Sequence, residues 1–483
     1  MSDSSSVAAT PPPPALRLGA ITFLMGLAQL VITSDFSIVS VALPSIGRAL
    51  DIQPGLLSWV VSANGAVFAG FLIIGGRLTD AFGHRRCLWW GLILFGAGSL
   101  LSSLSVNIWM LVATRCLQGL GAALVSPASF SLINAYLPEG PARHRALGVF
   151  ATMQGLSVMA GLLLGGFLTT QVGWRSVFVV NLPIVLACLA LTATVLPRTR
   201  PAANARPLDD VVGALLIAGS TGLLLYALSF LGEHGLSSPR GLGLLAAALT
   251  GFAGFFLRQA RHHSPLMPLD VFRIENLTGG TLALMALIAG FGGFFVLTSL
   301  YLQNGLHYSA TAAGLGMAPI SLATMAAGPC APVLMKRLTL RTLALGGLAL
   351  EVLALLALAL AAPFGHYATA MAPLAFVAVF GSTSAFVALM SLVLSKTPAE
   401  TQGAASGLLF TAQQIGLPIG VVVTLAVFSA LPAGAGEEPL QAYGRAFLVP
   451  VVMLVVSLAA ILLLTRGSVG AAPGASEAVT RPG

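Results

Sequence analysis

Long apolar segments, separated by short polar ones, run through the whole chain. Fourteen of them approach or exceed the about 20 mostly apolar residues that a helix needs to cross the hydrocarbon core of a bilayer. They cover approximately residues 18–41, 56–76, 87–106, 109–133, 146–169, 176–196, 210–231, 241–257, 277–302, 311–334, 342–361, 369–394, 403–430 and 446–465. The pattern therefore predicts an all-α polytopic membrane protein with fourteen transmembrane helices.

The basic residues indicate the orientation of these helices. Of the 23 Lys and Arg residues, 18 fall in segments that would share one side of the membrane, 4 fall on the other side, and Arg115 lies within a span. Cytoplasmic loops of membrane proteins carry the excess of Lys and Arg. We therefore expect both termini in the cytoplasm and a multi-pass protein of the cell inner (plasma) membrane.

The composition agrees with a protein whose main partner is the lipid bilayer. The chain is 57% hydrophobic and 8% charged, whereas soluble domains carry about 25% charged residues. The net charge of +8 arises in loops and not on a soluble domain, so no nucleic-acid partner is expected. The four cysteines lie in or beside apolar runs without a CxxC pair, so we expect neither a disulfide nor a metal site.

Two polar breaks divide the chain into two halves and an insert. The first break, Arg198–Asp210, follows six spans, and the second, Arg258–Asn276, comes two spans later. Transporters are often built from such repeats, with the substrate site between them near the midplane. The predicted organisation is a disordered N-terminus (1–17), an N-terminal six-helix bundle (18–197), a linker with two extra helices (198–276), a C-terminal six-helix bundle (277–466) and a disordered tail (467–483).

The most strongly charged segment between two spans is Gly76–Arg86, which we interpret as a tight cytoplasmic loop that acts as a gate. We expect Asp80 to dock at the N-terminus of the thirteenth span, near Gly403, because free N–H groups there favour an anion. Glycines would let the chain turn tightly. The predicted gating residues are Gly76, Asp80, Gly83, Arg85 and Arg86.

Three ionisable residues lie inside spans, and such residues are functional candidates by default because burying a charge in lipid is costly. Asp35 lies in the outer half of the first span and is the candidate proton carrier; the alternative is a helix-end acid that faces water. Arg115 needs a partner such as a carboxylate or Gln118; the alternative is a structural hydrogen-bond hub. Glu351, in the middle of the eleventh span, is the third proton-coupling candidate, or else it pairs with a neighbouring polar group.

Amide and methionine side chains inside the spans could line a substrate cavity, although most in-span residues only pack. A pocket of aromatic, Met and amide side chains suits bulky amphipathic or cationic molecules. The predicted cavity residues are Gln29, Asn64, Gln118, Met153, Gln154, Gln303, Gln413 and Gln414.

Several motifs resemble the major facilitator superfamily, in particular its fourteen-span drug:proton antiporter family. Gly76–Arg86 is similar to the signature G-x-L-x-D-x-x-G-R-[RK]-x after the second helix, with His84 where Arg is usual. Arg115–Ala123 is similar to R-x-x-Q-G-x-G-A-A, and Asp35–Pro44 resembles a first-helix motif of that family. Gly173–Pro183 resembles G-W-R-x-x-F-x-x-N-x-P. The resemblance implies a major facilitator fold, with proton exchange involving the acid and the arginine, and it places Glu351 on a peripheral helix.

One departure concerns the fifth span, where the antiporter motif ends G-P-x-x-G-G. This chain has Leu162 in place of the proline, within Gly161–Gly166.

We expect a proton-coupled exporter of small, amphipathic or cationic toxic compounds that works as a monomer by alternating access. Alternatives are a facilitator or symporter of a specific metabolite, and a membrane sensor that does not transport. The sequence lacks HExxH, a phosphate loop and a hydrolytic triad, so neither an enzyme nor a cofactor is expected.

Overall fold

The fold is taken from a computed structural model of the chain. It describes residues 15–52, 59–136, 141–196, 210–263, 265–267, 269–308, 310–395, 397, 401–430 and 439–465. Most of the predicted N-terminal disorder (1–17) and the whole predicted tail (467–483) lie outside these residues, as does most of the first polar break.

The described residues form α-helices throughout, with short 3-10 and π turns and no strand. The helices are α1 (Ala15–Ala49), α2 (Trp59–Phe82), α3 (His84–Ser103), α4 (Ile108–Tyr136), α5 (Pro141–Gln171), α6 (Ser176–Val179), α7 (Asn181–Val195), α8 (Val211–His234), α9 (Pro239–Arg261), α10 (Leu277–Leu300), α11 (Ala310–Gly316), α12 (Ala318–Leu334), α13 (Leu340–Ala361), α14 (Ala372–Leu394), α15 (Gln402–Ala430), α16 (Pro439–Ala446) and α17 (Leu448–Leu464). The predicted all-helical class is confirmed.

Among the described residues, 12 helical segments are long and apolar enough to cross a membrane. Some combine two consecutive helices, such as Ser176–Val195, which joins α6 and α7. The predicted spans outside this set are α3 and α5. Both begin with basic residues and are rich in Gly and small polar residues, which lowers their mean hydropathy.

The predicted loop Gly76–Arg86 is mostly helical, which corrects the interpretation of this segment as a loop. Gly76 and Asp80 belong to the last turns of α2, and Arg85 and Arg86 belong to the first turn of α3. The break is a single residue, Gly83, whose φ of 88° lies in the region that favours glycine. We call the end of the helix bundle that holds Gly83 the basic end.

Small residues set the closest helix contacts. A Cβ added at Gly165 of α5 would lie 3.0 Å from the Ile38 carbonyl oxygen of α1, so these two helices nearly touch through their backbones. Gly161, one turn earlier, faces Ser34 and Ser37 in the same way. Small residues at helix crossings permit this approach in membrane proteins, and here it fixes α5 directly beside the segment that carries Asp35.

The same contacts recur in the two halves of the chain. Arg85 at the start of α3 donates to the Thr192 and Ala193 carbonyls in the last turn of α7, at 3.3 and 3.2 Å. Arg341 at the start of α13 donates to the Ile461 and Leu462 carbonyls in the last turn of α17, at 3.5 and 3.0 Å. A guanidinium at a helix C-terminus satisfies free carbonyls and complements the helix dipole. The same arginine-to-carbonyl contact therefore occurs at corresponding places in the two halves.

Helices from the two halves meet along two seams. In one, α5 packs against α12, where Gly148 and Gly328 face each other. In the other, α2 packs against α15, where Gly407 lies against the backbone of Leu72 and Ile73. The insert α8–α9 covers the second seam, because α8 contacts both α2 and α15. Trp59 of α2 stacks on Tyr226 of α8 with ring centroids 5.2 Å apart.

A buried acid anchors the insert at the basic end. Asp210 caps α8 by accepting from the Gly213 N–H at 2.8 Å, as expected for an acid at this position. It also accepts from Arg258 Nε and Gln259 Nε2, both at 2.6 Å. Gln259 in turn accepts from the Met267 N–H at 3.1 Å, so the cluster fixes the linker to α9.

The α1–α5 contact gives a stability prediction with a control on the same helix. Gly165→Val should lower the melting temperature of the purified protein in detergent, because its side chain must displace α1. Overpacking of this kind costs roughly 1–3 kcal/mol. Gly166→Val is the matched control, since nothing lies within 4 Å of a Cβ at that position. Equal losses in the two variants would contradict the proposed close contact.

Candidate functional site

Asp35 lies at the centre of a buried polar cluster between α1, α2, α3, α4 and α7. Its side chain is fully buried, and its Oδ2 accepts from Arg115 Nη1 at 2.5 Å. Its Oδ1 accepts from Asn181 Nδ2 at 2.7 Å and from Gln118 Nε2 at 3.2 Å. The carboxylate is therefore neither a helix-end acid facing water nor an unpaired charge.

Arg115 is likewise fully buried, and its other donors are also occupied. Nε donates to the Val60 carbonyl at 2.8 Å, and Nη1 donates to Gln118 Oε1 at 2.8 Å. In the amide orientation that satisfies both polar atoms of Asn64, its oxygen accepts from Nη1 and Nη2 at 3.0 and 2.8 Å. The guanidinium also lies 6.0 Å from the ring centroid of Phe178.

Ser99 and the Val60 carbonyl also belong to this cluster, and neither was predicted from the sequence. Ser99 of α3 accepts from Gln118 Nε2 at 2.7 Å and from Asn181 Nδ2 at 3.3 Å. A serine among small residues in a span gives no signal that separates a network member from a packing residue. The position of Gln118 beside Arg115 could be predicted, because Gln118 follows Arg115 by three residues and so lies on the same face of α4.

The guanidinium of Arg115 has oxygen partners besides Asp35. A neutral Asp35 would lose the ionic part of its contact with Arg115, while the oxygens of Val60, Gln118 and Asn64 would still hold the guanidinium. Buried ion pairs are stable only when such hydrogen bonds satisfy the remaining polar atoms. The guanidinium would therefore keep hydrogen-bond partners even if the charge of Asp35 were removed.

An aromatic cluster lies between the two halves, nearer the basic end. Phe130 of α4, Phe150 of α5 and Phe410 of α15 are all buried, with ring centroids 5.5, 5.6 and 6.3 Å apart and edge-to-face geometry. Such pairs are favoured for aromatic rings. Because Phe410 belongs to the second half and the other rings to the first, the cluster is a contact between halves.

The predicted cavity residues fall into separate groups. Asn64 and Gln118 belong to the Asp35 cluster, and Gln303 is exposed beyond the end of α10, where it donates to Ser299 Oγ at 3.0 Å. Four others lie close to the aromatic cluster along the chain. Met153 and Gln154 follow Phe150 by three and four residues, and Gln413 and Gln414 follow Phe410 by the same spacings. Gln29 is buried on α1, where its Nε2 donates to Thr33 Oγ1 at 3.1 Å.

Glu351 does not join Asp35 and Arg115. It is 1% exposed on α13, beside the Ser382 hydroxyl of α14, and its Oε2 has no hydrogen-bond partner. The adjacent Gly381 lets α14 approach the Glu351 backbone closely. Its place in the helix pair α13–α14 agrees with the expectation that it pairs with a neighbouring polar group, and its proton-coupling role stays a prediction.

At the basic end, the charged residues of the signature segment have distinct neighbours. Arg85 binds the end of α7, and Arg86 is exposed. His84, which precedes the predicted third span, lies 2.9 Å from Ser131 Oγ of α4, and burial lowers the pKa of its imidazole. A neutral His84 therefore leaves this segment with one positive charge fewer than the family pattern. Asp80 is half-buried on the last turns of α2.

Comparison with known proteins agrees with this architecture. A sequence model described as Major Facilitator Superfamily matches residues 25–421. The proton:xylose symporter XylE superposes with a TM-score of 0.64 at 17% identity, over 94% of this chain and 96% of that one. The human organic anion transporter MFSD10 gives 0.63 at 16% identity, over 92% and 100%. At these identities the likeness concerns the fold alone.

Similar sequences are named as export and resistance proteins. The cephamycin export protein CmcT of Amycolatopsis lactamdurans is 34% identical over 89% of this chain and 89% of its own length. The lincomycin resistance protein of Streptomyces lincolnensis is 30% identical over 94% and 92%. The multidrug resistance protein Stp of Mycobacterium tuberculosis is 32% identical over 86% and 77%. The predictions of a transporter in the cell membrane and of a non-enzyme are thereby confirmed, and the chain belongs to the major facilitator superfamily.

Proposed function

We propose that the protein exports toxic small molecules from the cell by exchange with protons. The single observation that supports proton coupling is the fully buried pair of Asp35 and Arg115. Among the described members of that cluster, Asp35 is the one acid. The export direction is supported by relatives named for export and resistance. Membrane potential alone supplies about 2.3 kcal/mol per charge per 100 mV.

The proposed topology has fourteen crossings, with both termini and the basic end in the cytoplasm. Helix α3 has 20 residues and α5 has 31, enough to span a hydrocarbon core of about 30 Å at 1.5 Å per residue. Each packs along a neighbour that is apolar enough to cross, α3 along α4 and α5 along α1. We keep the predicted division into a bundle at 18–197, an insert at 198–276 and a bundle at 277–466.

The described conformation is proposed to be closed towards the cytoplasm. The support comes from the contacts between halves, where the Phe130–Phe150–Phe410 cluster and the Gly148–Gly328 and Gly407–Leu72 approaches all lie towards the basic end. Rocking of the halves would open this end and close the other. Protonation of Asp35 would bias the rocking by weakening its contact with Arg115.

The gate is proposed to work through Asp80 and the start of α15. Leu78 of α2 and Leu408 of α15 pack on the same apolar cluster of Ile73 and Ile74, so the end of α2 lies beside the beginning of α15. A carboxylate there is stabilised by a helix N-terminus. Opening the cytoplasmic side would separate the two helices and remove this contact.

A facilitator or symporter of a specific metabolite is the second candidate. The observation that favours it is Leu162, which stands where the antiporter motif has proline. The close α1–α5 contact is retained through Gly161 and Gly165 without that proline. Dependence of export on the proton gradient separates the two candidates.

Export should require both the proton gradient and Asp35. In cells that lack their own efflux pumps, the chain should lower accumulation of lincomycin or a cephamycin, and an uncoupler should abolish this effect. Asp35→Asn should lower export at least about tenfold, because an amide cannot exchange the proton. Asp270→Asn is the control, since its side chain is 85% exposed. Export that persists with an uncoupler would reject proton coupling.

The buried ion pair of Asp35 and Arg115 should also affect the melting temperature of the protein. Arg115→Gln leaves Asp35 buried without its cation, and breaking a buried pair costs about 3–5 kcal/mol. Combining it with Asp35→Asn should restore part of the lost melting temperature, because no charge then remains in the cluster. The measurement is thermal unfolding of the four proteins in one detergent. Strictly additive effects would contradict a direct ionic contact.

Asp80→Asn should cripple turnover while leaving substrate binding intact. The amide keeps the shape of the side chain but removes the charge that favours the α15 N-terminus. Asp51→Asn, on an exposed residue beyond α1, is the control. Transport rate is measured in proteoliposomes, and ligand-induced thermal stabilisation reports binding. Loss of binding would instead make Asp80 part of the substrate site.

A further inference from the structure

The acidic residues of the chain are distributed in a way that restricts the substrate. The sequence has 15 Asp and Glu residues. Among the described ones, only Asp35 and Glu351 lie more than a turn from the end of an apolar helix. A cation that enters a membrane cavity needs a counter-charge, because unpaired charge in low dielectric is costly. These two carboxylates are therefore the candidates for binding a cationic substrate.

Neither carboxylate is available for that purpose. Both oxygens of Asp35 accept hydrogen bonds from Arg115, Gln118 and Asn181, and the side chain is fully buried. Glu351 is enclosed between α13 and α14. Arg115, the basic residue within a span, is also fully paired. Among the described residues, no carboxylate more than a turn inside a span is therefore left accessible to a cation.

A polar layer lies one helical turn from the aromatic cluster, on the side away from the basic end. Helices α5 and α15 run away from that end, so Gln154 and Gln413 lie one turn beyond Phe150 and Phe410 on the same faces. Helix α4 runs the other way, which places Ser126 one turn beyond Phe130.

Helix α1 completes the layer. Gly26 faces the Met153 side chain, and the next contacts along α1 and α5 show that the two helices run parallel. Gln29 follows Gly26 by three residues and so lies about one turn above Met153. Four helices therefore bring hydroxyl and amide groups to within about one to two turns beyond the aromatic cluster.

Three side chains of this layer carry buried polar atoms without a hydrogen-bond partner: Gln29 Oε1, Ser126 Oγ and Gln413 Nε2. Buried polar atoms are nearly always paired, because leaving one unpaired costs about 1–3 kcal/mol. The set includes a free acceptor on Gln29, a free donor on Gln413 and a hydroxyl that can do either. These are the groups that recognise an uncharged molecule with its own donors and acceptors.

We infer that the polar layer of Gln29, Ser126, Gln154 and Gln413 binds uncharged substrates through hydrogen bonds, and that permanent cations are not substrates. This inference rests on the proposed export function and narrows it. The aromatic cluster forms the floor of the site on the cytoplasmic side. The substrate replaces the missing partners of the amides and the hydroxyl, so binding removes the cost of leaving them unpaired.

The first test compares probes of different charge in the same efflux assay. Uncharged amides (chloramphenicol, thiamphenicol and linezolid) are compared with the permanent cations tetraphenylphosphonium and ethidium. At least one amide should be expelled and neither cation. Ser126→Ala and Gln413→Leu should each raise KM for that amide roughly threefold to tenfold. Uncoupler-sensitive export of a cation would overturn the inference while leaving the proposed function standing. Export of lincomycin without export of any of the three amides would likewise reject the inference alone, and failure to export lincomycin as well would reject both.

The second test supplies the missing charge and does not depend on transport. The purified full chain should not bind tetraphenylphosphonium, whereas Gln413→Glu should bind it about tenfold to a hundredfold more tightly than the parent. Gln171→Glu, on an exposed residue at the end of α5, makes the same chemical change outside the layer and should leave binding at the parent level. Tight binding of this cation by the parent, or an equal gain in the two variants, would overturn the inference.

Discussion

The structure depends on how one buried charge pair is satisfied. Asp35 and Arg115 are both fully buried, and each makes further hydrogen bonds to groups on other helices. A bare ion pair in the membrane interior would lose more by desolvation than it gains by attraction. The shell of amides, Ser99 and the Val60 carbonyl makes the pair tolerable. That shell comes from five helices, so it also specifies how the N-terminal helices pack.

The aromatic cluster and the polar layer depend on this arrangement. In the proposed site the polar layer offers hydrogen bonds, whereas the in-span carboxylates of the described residues, Asp35 and Glu351, are each enclosed within one half. The aromatic rings near the basic end separate that space from the face where the basic residues lie. In the proposed mechanism, proton chemistry and substrate recognition would therefore lie on different parts of the same helices.

Much of this could be predicted from the sequence, because the lipid imposes strong rules. The apolar pattern located the helices, and the cost of buried charge indicated Asp35 and Arg115 as functional candidates, although not that they form a pair. The assignments of Asn64 and Gln118 to the cavity were less informative, since an amide can satisfy either a charge or a substrate. Which of the two it does is decided by contacts between helices distant in sequence. The one-residue turn at Gly83 was also hidden, because polar residues at helix ends look like a loop.

The insert makes the two seams between the halves chemically different. Arg85 and Arg341 show that the halves repeat one plan, so the α2–α15 and α5–α12 seams are counterparts. Helix α8 covers the first, while large side chains beside the second, such as Phe167 and Leu322, are exposed and would meet lipid tails. If the halves move, the contacts that change at the α2–α15 seam include contacts with helix α8. At the α5–α12 seam, they include contacts with lipid. The bilayer would thus meet the α5–α12 seam directly, whereas it would meet the α2–α15 seam only across α8 and α9.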